Sequence, residues 1–174
     1  MDLFLCETLS SVAETRQATE TAAQAGGEVW TALCVDEDDG TRLRGGEPLL
    51  EAADAARRAG AGRVLINCAP PEATTTALAL LLEAGFIAGA YANGFATVAP
   101  MAQGSTVDAL SARRDLDPKA YADIVMDWVA AGADAVGGCC AIGPAHIAEI
   151  SRRRDGMGHL AAITVSAAYG GAEF

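Results

Sequence analysis

The chain has 174 residues, of which 51% are hydrophobic, and this length suits one sizeable core rather than two ordinary domains. Its 12 Lys and Arg residues against 23 Asp and Glu residues give a net charge of -11, which argues against nucleic acid and anionic membranes as partners. No apolar run reaches the roughly 18 residues of a membrane span, and the amino end lacks the basic start of a secretory signal, so we expect a cytoplasmic protein that binds small molecules.

The first half of the chain alternates short apolar runs with segments of helical spacing. The runs are almost continuously apolar, as in strands that are buried on both faces. Serine stands at the start of the first helical segment, where it can cap the helix. Glycine directly follows each of the three helical segments in this half of the chain. The predicted elements are, in chain order, a strand at 3–6, a helix at 10–25, a strand at 29–35, a helix at 46–59, a strand at 64–68 and a helix at 71–84.

The second half predicts two more strands. Asp117 followed by Pro118 is a strong helix start, because it combines an N-cap carboxylate with proline at the first helical position. The elements are, in chain order, a strand at 87–91, a long loop at 97–114, a helix at 117–131, a strand at 133–136 and a helix at 144–154. An apolar run within residues 160–174 could add a sixth strand. Strands separated by helices predict repeated βαβ units, and therefore an α/β fold with a parallel sheet.

Three of the five cysteines follow predicted strands. Cys68 ends the third strand, whereas Cys139 and Cys140 follow two glycines after the fifth. Because side chains alternate between the faces of a strand, an adjacent pair can converge only past the strand end. In a parallel barrel the carboxyl ends of the strands share the face that carries active sites, so the three thiolates could meet there. Three ligands with an open fourth position are the pattern of a catalytic zinc site.

Cysteine also has less specialised roles. A buried cysteine is usually a small inert hydrophobe, and this is what we expect of Cys34 and Cys6. A disulfide is disfavoured, because the chain is unlike a small secreted scaffold. The three cysteines at the strand ends could still be core residues of a plain α/β domain, an interpretation that stoichiometric zinc would exclude.

Five motifs stand out along the predicted elements. They are Leu5-Cys6-Glu7-Thr8, Leu43-Arg44-Gly45-Gly46, Ile66-Asn67-Cys68, Tyr91-Ala92-Asn93-Gly94, and the segment from Trp128 through Gly137-Gly138-Cys139-Cys140 to Gly143-Pro144-Ala145-His146-Ile147. Their order and spacing over residues 1–150 resemble those of the homocysteine S-methyltransferase family of zinc-dependent barrel enzymes.

The resemblance implies a (β/α)8 TIM-barrel type of fold, of which residues 1–174 would supply about the last five βα units as a single domain. A complete barrel needs about 250 residues, and the family's amino-terminal strands with their Asp-Gly-Gly motif have no counterpart in this sequence. The expected macromolecular partner is therefore a complementing amino-terminal half, or a second copy in a homo-oligomer.

The resemblance also implies that Cys68, Cys139 and Cys140 are the ligands of a Zn²⁺ cofactor. His146 is then expected to be a structural residue of the last helix, because the three cysteines already supply the ligand set. Coordination to zinc deprotonates a thiol, whose pKa is otherwise about 8.5. The implied reaction is methyl transfer from S-methylmethionine, betaine or a similar donor to the thiol of homocysteine, which gives methionine. The alternative is a non-catalytic zinc- or thiol-binding fragment, or one half of a split enzyme that needs a partner chain.

Four residues are implied as substrate contacts: Glu7, Thr8, Asn67 and Asn93. Glu7 matches the family glutamate that holds the amino group of homocysteine, although a surface or capping role is the alternative. Each asparagine could instead be only a turn residue. Ala92 stands where the family has proline beside Asn93.

Overall fold

The computed structural model describes residues 3–102, 104 and 106–154, which adopt an α/β fold. Its elements are, in chain order, β1 (Leu3–Leu9), α1 (Val12–Gln24), β2 (Glu28–Leu33), α2 (Leu49–Ala59), β3 (Arg63–Asn67), α3 (Pro71–Glu83), β4 (Ala88–Tyr91), α4 (Ala99–Ala102), α5 (Pro118–Ala131), β5 (Ala135–Val136) and α6 (Pro144–Arg154). A 3-10 turn at Val107–Ala109 lies between α4 and α5. Within this part of the chain, no helix has the length and apolar character needed to cross a bilayer.

The five strands form one sheet in sequential order, and each neighbouring pair is parallel. Parallel neighbours require a crossover connection, and a helix fills each of the four crossovers. Because all strands run the same way, their carboxyl ends lie along one edge of the sheet. In the pairing of β3 with β4, for example, Asn67 lies opposite Tyr91 at this edge. The predicted α/β fold with a parallel sheet is confirmed.

One face of the sheet packs against the helices. Leu33, Ile66 and Ala90 point towards the helices and join Trp128 and Val125 of α5 in the larger hydrophobic core. Each of these five side chains is at most 1% exposed. This face therefore holds the helices to the sheet by burial of apolar surface.

The opposite face of the sheet is also apolar, as its almost continuously apolar strands predict. Its buried cluster contains strand residues only, namely Trp30, Ala32, Leu65, Tyr91 and Ala135. Gly89 of β4 pairs with Ala135 of β5. A Cβ atom on Gly89 would be 2.3 Å from the carbonyl oxygen of Ala135. No side chain larger than glycine therefore fits between β4 and β5 at this position.

Helix ends follow the sequence signals. The side chain of Asp117 accepts hydrogen bonds from the backbone of Lys119 and Ala120 at the start of α5. These bonds hold the pKa of the Asp117 carboxyl below its usual value. Gly132 ends the same helix in the left-handed region, with φ of 111°, which glycine adopts without strain.

Several predicted boundaries differ from the structure. The second helix begins at Leu49 rather than at residue 46, because Gly46 closes a turn through its N–H bond to Leu43. The second strand ends at Leu33, since Val35 pairs with Leu43 in an isolated antiparallel bridge. These differences come from backbone contacts that apolar periodicity does not encode.

The first and last strands also differ in length from their predictions. β1 continues past residue 6 to Leu9 through an irregular register, and β5 is shortened to two residues. The predicted loop at 97–114 contains α4 and the 3-10 turn. The run at 160–174 that could form a sixth strand lies outside the described residues.

Tyr121 connects α5 to the carboxyl edge of the sheet. Its side chain is 0% exposed, and its hydroxyl donates to the carbonyl oxygen of Gly137 at 2.8 Å. The same hydroxyl lies 3.4 Å from the carbonyl oxygen of Ala92. A helix thus supports the backbone that follows both β4 and β5.

We expect Tyr121→Phe to lower the free energy of unfolding by about 1–3 kcal/mol, because the buried carbonyl of Gly137 would lose its donor. Urea denaturation followed by circular dichroism measures this loss. Tyr91→Phe is the matched control: the partner of that hydroxyl is the exposed carboxylate of Glu7, which water can solvate, so a smaller loss is expected. Equal losses in the two variants would contradict this account.

Candidate metal centre

The structure brings Cys68, Cys139 and Cys140 together at the carboxyl edge of the sheet. Cys68 follows β3 directly, and the other two cysteines lie just past β5. The Sγ atom of Cys140 is 3.8 Å from that of Cys68 and 3.8 Å from that of Cys139. All three Sγ atoms lie within 4.8 Å of one another, and each residue is half-buried.

The backbone around the cysteine pair bends so that both sulfurs face the same point. The N–H of Cys139 donates to the carbonyl oxygen of Ala92 at 2.9 Å, which ties the pair to the end of β4. Ala141 follows with φ of 62°, in the left-handed region. Gly138 has no room for a side chain, since a Cβ atom would lie 2.2 Å from Cγ2 of Ile142. The glycine before the pair is therefore required by close packing.

Hydrogen bonds among the three thiols separate their pKa values. Bonds from Cys139 and then from Cys68 lower the pKa of Cys140 to about 3. The pKa of Cys139 is raised to about 12, chiefly through its hydrogen bond to Cys140. Hydrogen bonds to Cys139 and Cys140, and then burial, raise the pKa of Cys68. Among the three thiols, the hydrogen bonds therefore favour Cys140 as the one that loses its proton most readily.

Two of the three distances between the sulfurs fit a tetrahedral metal. Zinc binds cysteine sulfur at about 2.3 Å, so two ligands at the tetrahedral angle are about 3.8 Å apart. Both contacts of Cys140 have this length. Among the described residues, the group contains three ligands, and thiolates are ligands that zinc accepts. A fourth position would remain for a substrate atom, as in catalytic rather than structural zinc sites.

Glu7, an expected substrate contact, lies near the carboxyl end of β1 and is exposed. The hydroxyl of Tyr91 donates to Oε1 of Glu7 at 2.9 Å. Tyr91 is 3% exposed, and Cys139 packs against the cluster to which it belongs. Burial, and then the charge of Glu7, raise the pKa of Tyr91, so its hydroxyl stays a neutral donor. Tyr91 therefore holds the carboxylate, and the apolar cluster to which it belongs also contacts Cys139.

Thr8 and Asn67 bind each other across the sheet. The Oδ1 atom of Asn67 accepts from the N–H of Thr8 at 3.2 Å, and its Nδ2 atom donates to Oγ1 of Thr8 at 2.8 Å. Thr8 has φ of 61°, a conformation that costs a residue other than glycine roughly 1–3 kcal/mol. The asparagine thus holds the end of β1 against the end of β3. A substrate contact by either residue stays a prediction.

Asn93 lies behind the cysteines rather than in an open position. It is 0% exposed, its Nδ2 atom donates to the carbonyl oxygen of Cys68 at 2.9 Å, and its Oδ1 atom accepts from the N–H of Phe95 at 3.0 Å. The predicted substrate contact of Asn93 remains untested, whereas its contact with a cysteine of the group is direct.

The other cysteines and the histidine have separate surroundings. Cys34 is buried, as expected, but its thiol also lies 3.6 Å from the carbonyl oxygen of Cys68. Cys6 is half-buried and packs against the helix-facing core. The Nε2 atom of His146 lies 3.0 Å from the carbonyl oxygen of Leu116, which ties α6 to the segment before α5 and agrees with a structural role.

Tyr91 and Arg44 contact the site, although the sequence does not single them out. Both lie in motifs that resemble the family, but the motif alone does not say where a side chain points. The guanidinium of Arg44 donates to the carbonyl oxygen of Cys68 at 3.1 Å. The register that pairs Tyr91 with Asn67 is the signal that could have placed the tyrosine beside the site.

The comparisons with known proteins agree with this geometry. The family model for homocysteine S-methyltransferase matches residues 1–154. Crystal structures of the homocysteine methyltransferase MmuM from Escherichia coli are similar in the oxidized form (27% identity, TM-score 0.65), the metallated form (27%, 0.65) and the apo form (28%, 0.64). No curated protein matches the chain.

Each of these structural matches covers 87% of this chain. They cover 45% of the oxidized and metallated chains and 50% of the apo chain, so this chain spans about half the length of MmuM. The five-stranded parallel sheet thus matches part of the TIM-barrel-like fold of that enzyme, which confirms the expected partial architecture. With the family model matched over residues 1–154, the chain belongs to the homocysteine S-methyltransferase family.

Proposed function

We propose that this chain carries the thiol-activating centre of a zinc-dependent methyltransferase that converts homocysteine to methionine. The observation that supports this most directly is the group of three cysteine Sγ atoms within 4.8 Å of one another, in which both contacts of Cys140 have the spacing of tetrahedral zinc ligands. Zn²⁺ is the proposed cofactor, and Cys68, Cys139 and Cys140 are its proposed ligands. A metallated form of the related MmuM has been crystallised, which is consistent with a metal in this family.

The residues around the cysteines would bind and orient the substrate. A bound zinc ion would supply a Lewis acid that keeps the substrate thiol deprotonated at neutral pH. The carboxylate of Glu7 is the proposed partner of the homocysteine ammonium group, in a charge-assisted hydrogen bond. The hydroxyl of Tyr91 holds this carboxylate through its bond to Oε1. Substrate contacts by Thr8, Asn67 and Asn93 are part of the same proposal.

The proposed reaction moves a methyl group without its bonding electrons. A bond forms between the homocysteine sulfur and the methyl carbon while the bond from that carbon to the sulfonium sulfur or quaternary nitrogen of the donor breaks. The electron pair stays on the donor, which leaves with one positive charge fewer. S-methylmethionine, betaine or a similar compound is the proposed donor, and the transfer needs no oxidant or reductant.

A partner that completes the barrel is part of the proposal. Among the described residues, β1 and β5 each pair with one neighbouring strand only. An apolar groove lined by Phe4, Ala18 and Ala22 lies beside β1 and offers a surface on which further βα units could pack. A complementing amino-terminal half is the proposed occupant, with a second copy of this chain as the alternative.

The half-length match also favours a second candidate function. The chain could be a non-catalytic zinc- or thiol-binding fragment, or one half of a split enzyme, which keeps the cysteines but lacks part of the pocket. Methionine formation by this chain without a second protein would exclude this candidate. A reducing compartment such as the cytoplasm suits both, because the five cysteines of this chain are free thiols.

We expect about one zinc ion per chain in protein purified without chelator, because the three thiols match the ligand geometry. Cys68→Ser and Cys140→Ser should each remove it, whereas Cys6→Ser, in the helix-facing core, should keep it. Elemental analysis of the purified variants measures the metal. Absence of zinc from the unmodified chain, or equal loss in the Cys6→Ser control, would sink the proposed metal centre.

We expect the zinc-loaded chain to form methionine from homocysteine and S-methylmethionine, and Cys140→Ser to form none above background. Chromatographic detection of methionine measures both. Cys6→Ser, which lies outside the cysteine group, should retain the activity of the unmodified chain. Zinc binding without methionine formation would instead favour the non-catalytic fragment or the split enzyme. The next step would then be to search for a protein that supplies the complementing half.

We expect Glu7→Gln and Tyr91→Phe to reduce the preference for homocysteine over 4-mercaptobutanoate, a thiol without the amino group. Loss of a charge-assisted bond should lower this ratio about 10-fold in Glu7→Gln, and loss of the orienting hydroxyl should lower it less. Titration of each thiol into the cobalt-substituted chain, followed by the sulfur-to-cobalt absorption, measures both affinities. Glu83→Gln, in the exposed last turn of α3, is the control and should leave the ratio unchanged.

A further inference from the structure

Three donors from different parts of the chain converge on one backbone carbonyl, that of Cys68. Nδ2 of Asn93 is 2.9 Å from this oxygen, a guanidinium nitrogen of Arg44 is 3.1 Å away, and the thiol of Cys34 is 3.6 Å away. A carbonyl oxygen has two lone pairs, so the amide and the guanidinium are enough to saturate it. The longer sulfur contact adds a weaker third donor.

The conformation of Cys68 explains what these donors could do. Its φ is 53°, in the left-handed region that residues with a Cβ atom rarely adopt. The direction of the Cα–Cβ bond, and therefore the position of Sγ, depends on the orientation of the two flanking peptide groups. A relaxation of Cys68 towards an ordinary conformation would move its sulfur away from the 3.8 Å contact with Cys140. The peptide after Cys68 must therefore be held from outside.

The amide donor is itself rigid. Asn93 is fully buried, its Oδ1 atom accepts from the N–H of Phe95, and its own N–H donates to the carbonyl oxygen of Ala69 at 3.0 Å. The side chain of Asn93 is thus fixed at both ends of its amide, and its backbone is fixed to the residue that follows Cys68. This arrangement makes Asn93 a firm support for the Cys68 peptide.

The guanidinium donor comes from the loop before α2. The N–H of Arg44 donates to the carbonyl oxygen of Cys34 at 2.9 Å, so its backbone is anchored beside the site although its side chain is exposed. Arg42, two residues earlier in the same loop, donates instead to the carbonyl oxygen of Gly46 at 3.0 Å. The two arginines therefore share charge and loop but differ in the carbonyl that they contact.

We propose that Asn93 and Arg44 are positioning residues for the metal-binding thiol of Cys68. By donating to its carbonyl oxygen they hold the residue in the left-handed conformation that aims its sulfur at the other two. The affinity for the metal therefore depends on two residues that do not touch the metal. This inference rests on the proposed zinc centre and assigns to Asn93 a role other than contact with substrate.

The test measures zinc affinity, without reference to turnover, by competition of the full chain with a chromophoric chelator. Outer partners of metal ligands typically change affinity about 10- to 100-fold, so this loss is expected for Arg44→Gln and for Asn93→Ala. Arg42→Gln removes the same charge from the same loop and should change the affinity less than about twofold, because it leaves the Cys68 carbonyl untouched. Arg44→Lys keeps the charge but lacks the planar fork, and an intermediate loss is expected.

Two further measurements separate positioning from general damage. Thermal unfolding of the metal-free variants reports folding, and the exposed Arg44→Gln variant is expected to keep the transition of the unmodified chain even where the buried Asn93→Ala variant does not. The absorption bands of cobalt-loaded Arg44→Gln should shift in position, because a displaced sulfur distorts the coordination. Zinc affinity of Arg44→Gln equal to that of the unmodified chain, or a loss equal to that of Arg42→Gln, would overturn the inference. Absence of zinc binding by the unmodified chain would overturn the metal centre itself, and the inference with it.

Discussion

The close approach of three sulfurs is the constraint on which this edge of the sheet depends. Three thiols within 4.8 Å of one another cannot all ionise unless a cation compensates their charge. Hydrogen bonds from Cys139 and Cys68 lower the pKa of Cys140, so the three sulfurs are also linked to one another. Ionisation of a second thiol would add repulsion, so the surrounding backbone must fix the positions of the sulfurs.

Local strain is concentrated where the sulfurs meet. Among the described residues, three other than glycine have positive φ: Thr8, Cys68 and Ala141. Thr8 lies near the end of β1, Cys68 directly follows β3 and Ala141 lies past β5, so each is at the carboxyl edge of the sheet. Thr8 is held by Asn67, and Cys68 by Asn93, in each case through the side-chain amide. A strained backbone conformation persists only when contacts with its surroundings hold it in place. The side-chain amides of Asn67 and Asn93 supply such contacts.

Much of the architecture could be predicted from the sequence, because the strands are short apolar runs and the helices have clear ends. The adjacent cysteines after the fifth strand also indicated that their sulfurs converge past the strand end. Within a strand, successive side chains point to opposite faces and could not converge. Apolar periodicity does not encode the local turn at Gly46. The β1 irregularity and the shortened β5 could not be predicted either, because they depend on pairing between strands that are distant in the sequence. Arg44 and Tyr91 were missed for the same reason: their hydrogen bonds span 24 and 84 residues.

The separation of the cysteines along the chain has a consequence for folding. Cys139 and Cys140 are adjacent in the sequence, so the local backbone conformation sets the distance between their sulfurs. Cys140 and Cys68, by contrast, are 72 residues apart. An ion bound by all three would close a loop of that length, much as a disulfide does, and would restrict the unfolded chain accordingly. The loop contains α3, β4, α4, α5 and β5, so the ion would restrain this stretch of the fold as a unit. Removal of the ion would therefore loosen the packing of these elements before it changed β1 and β2.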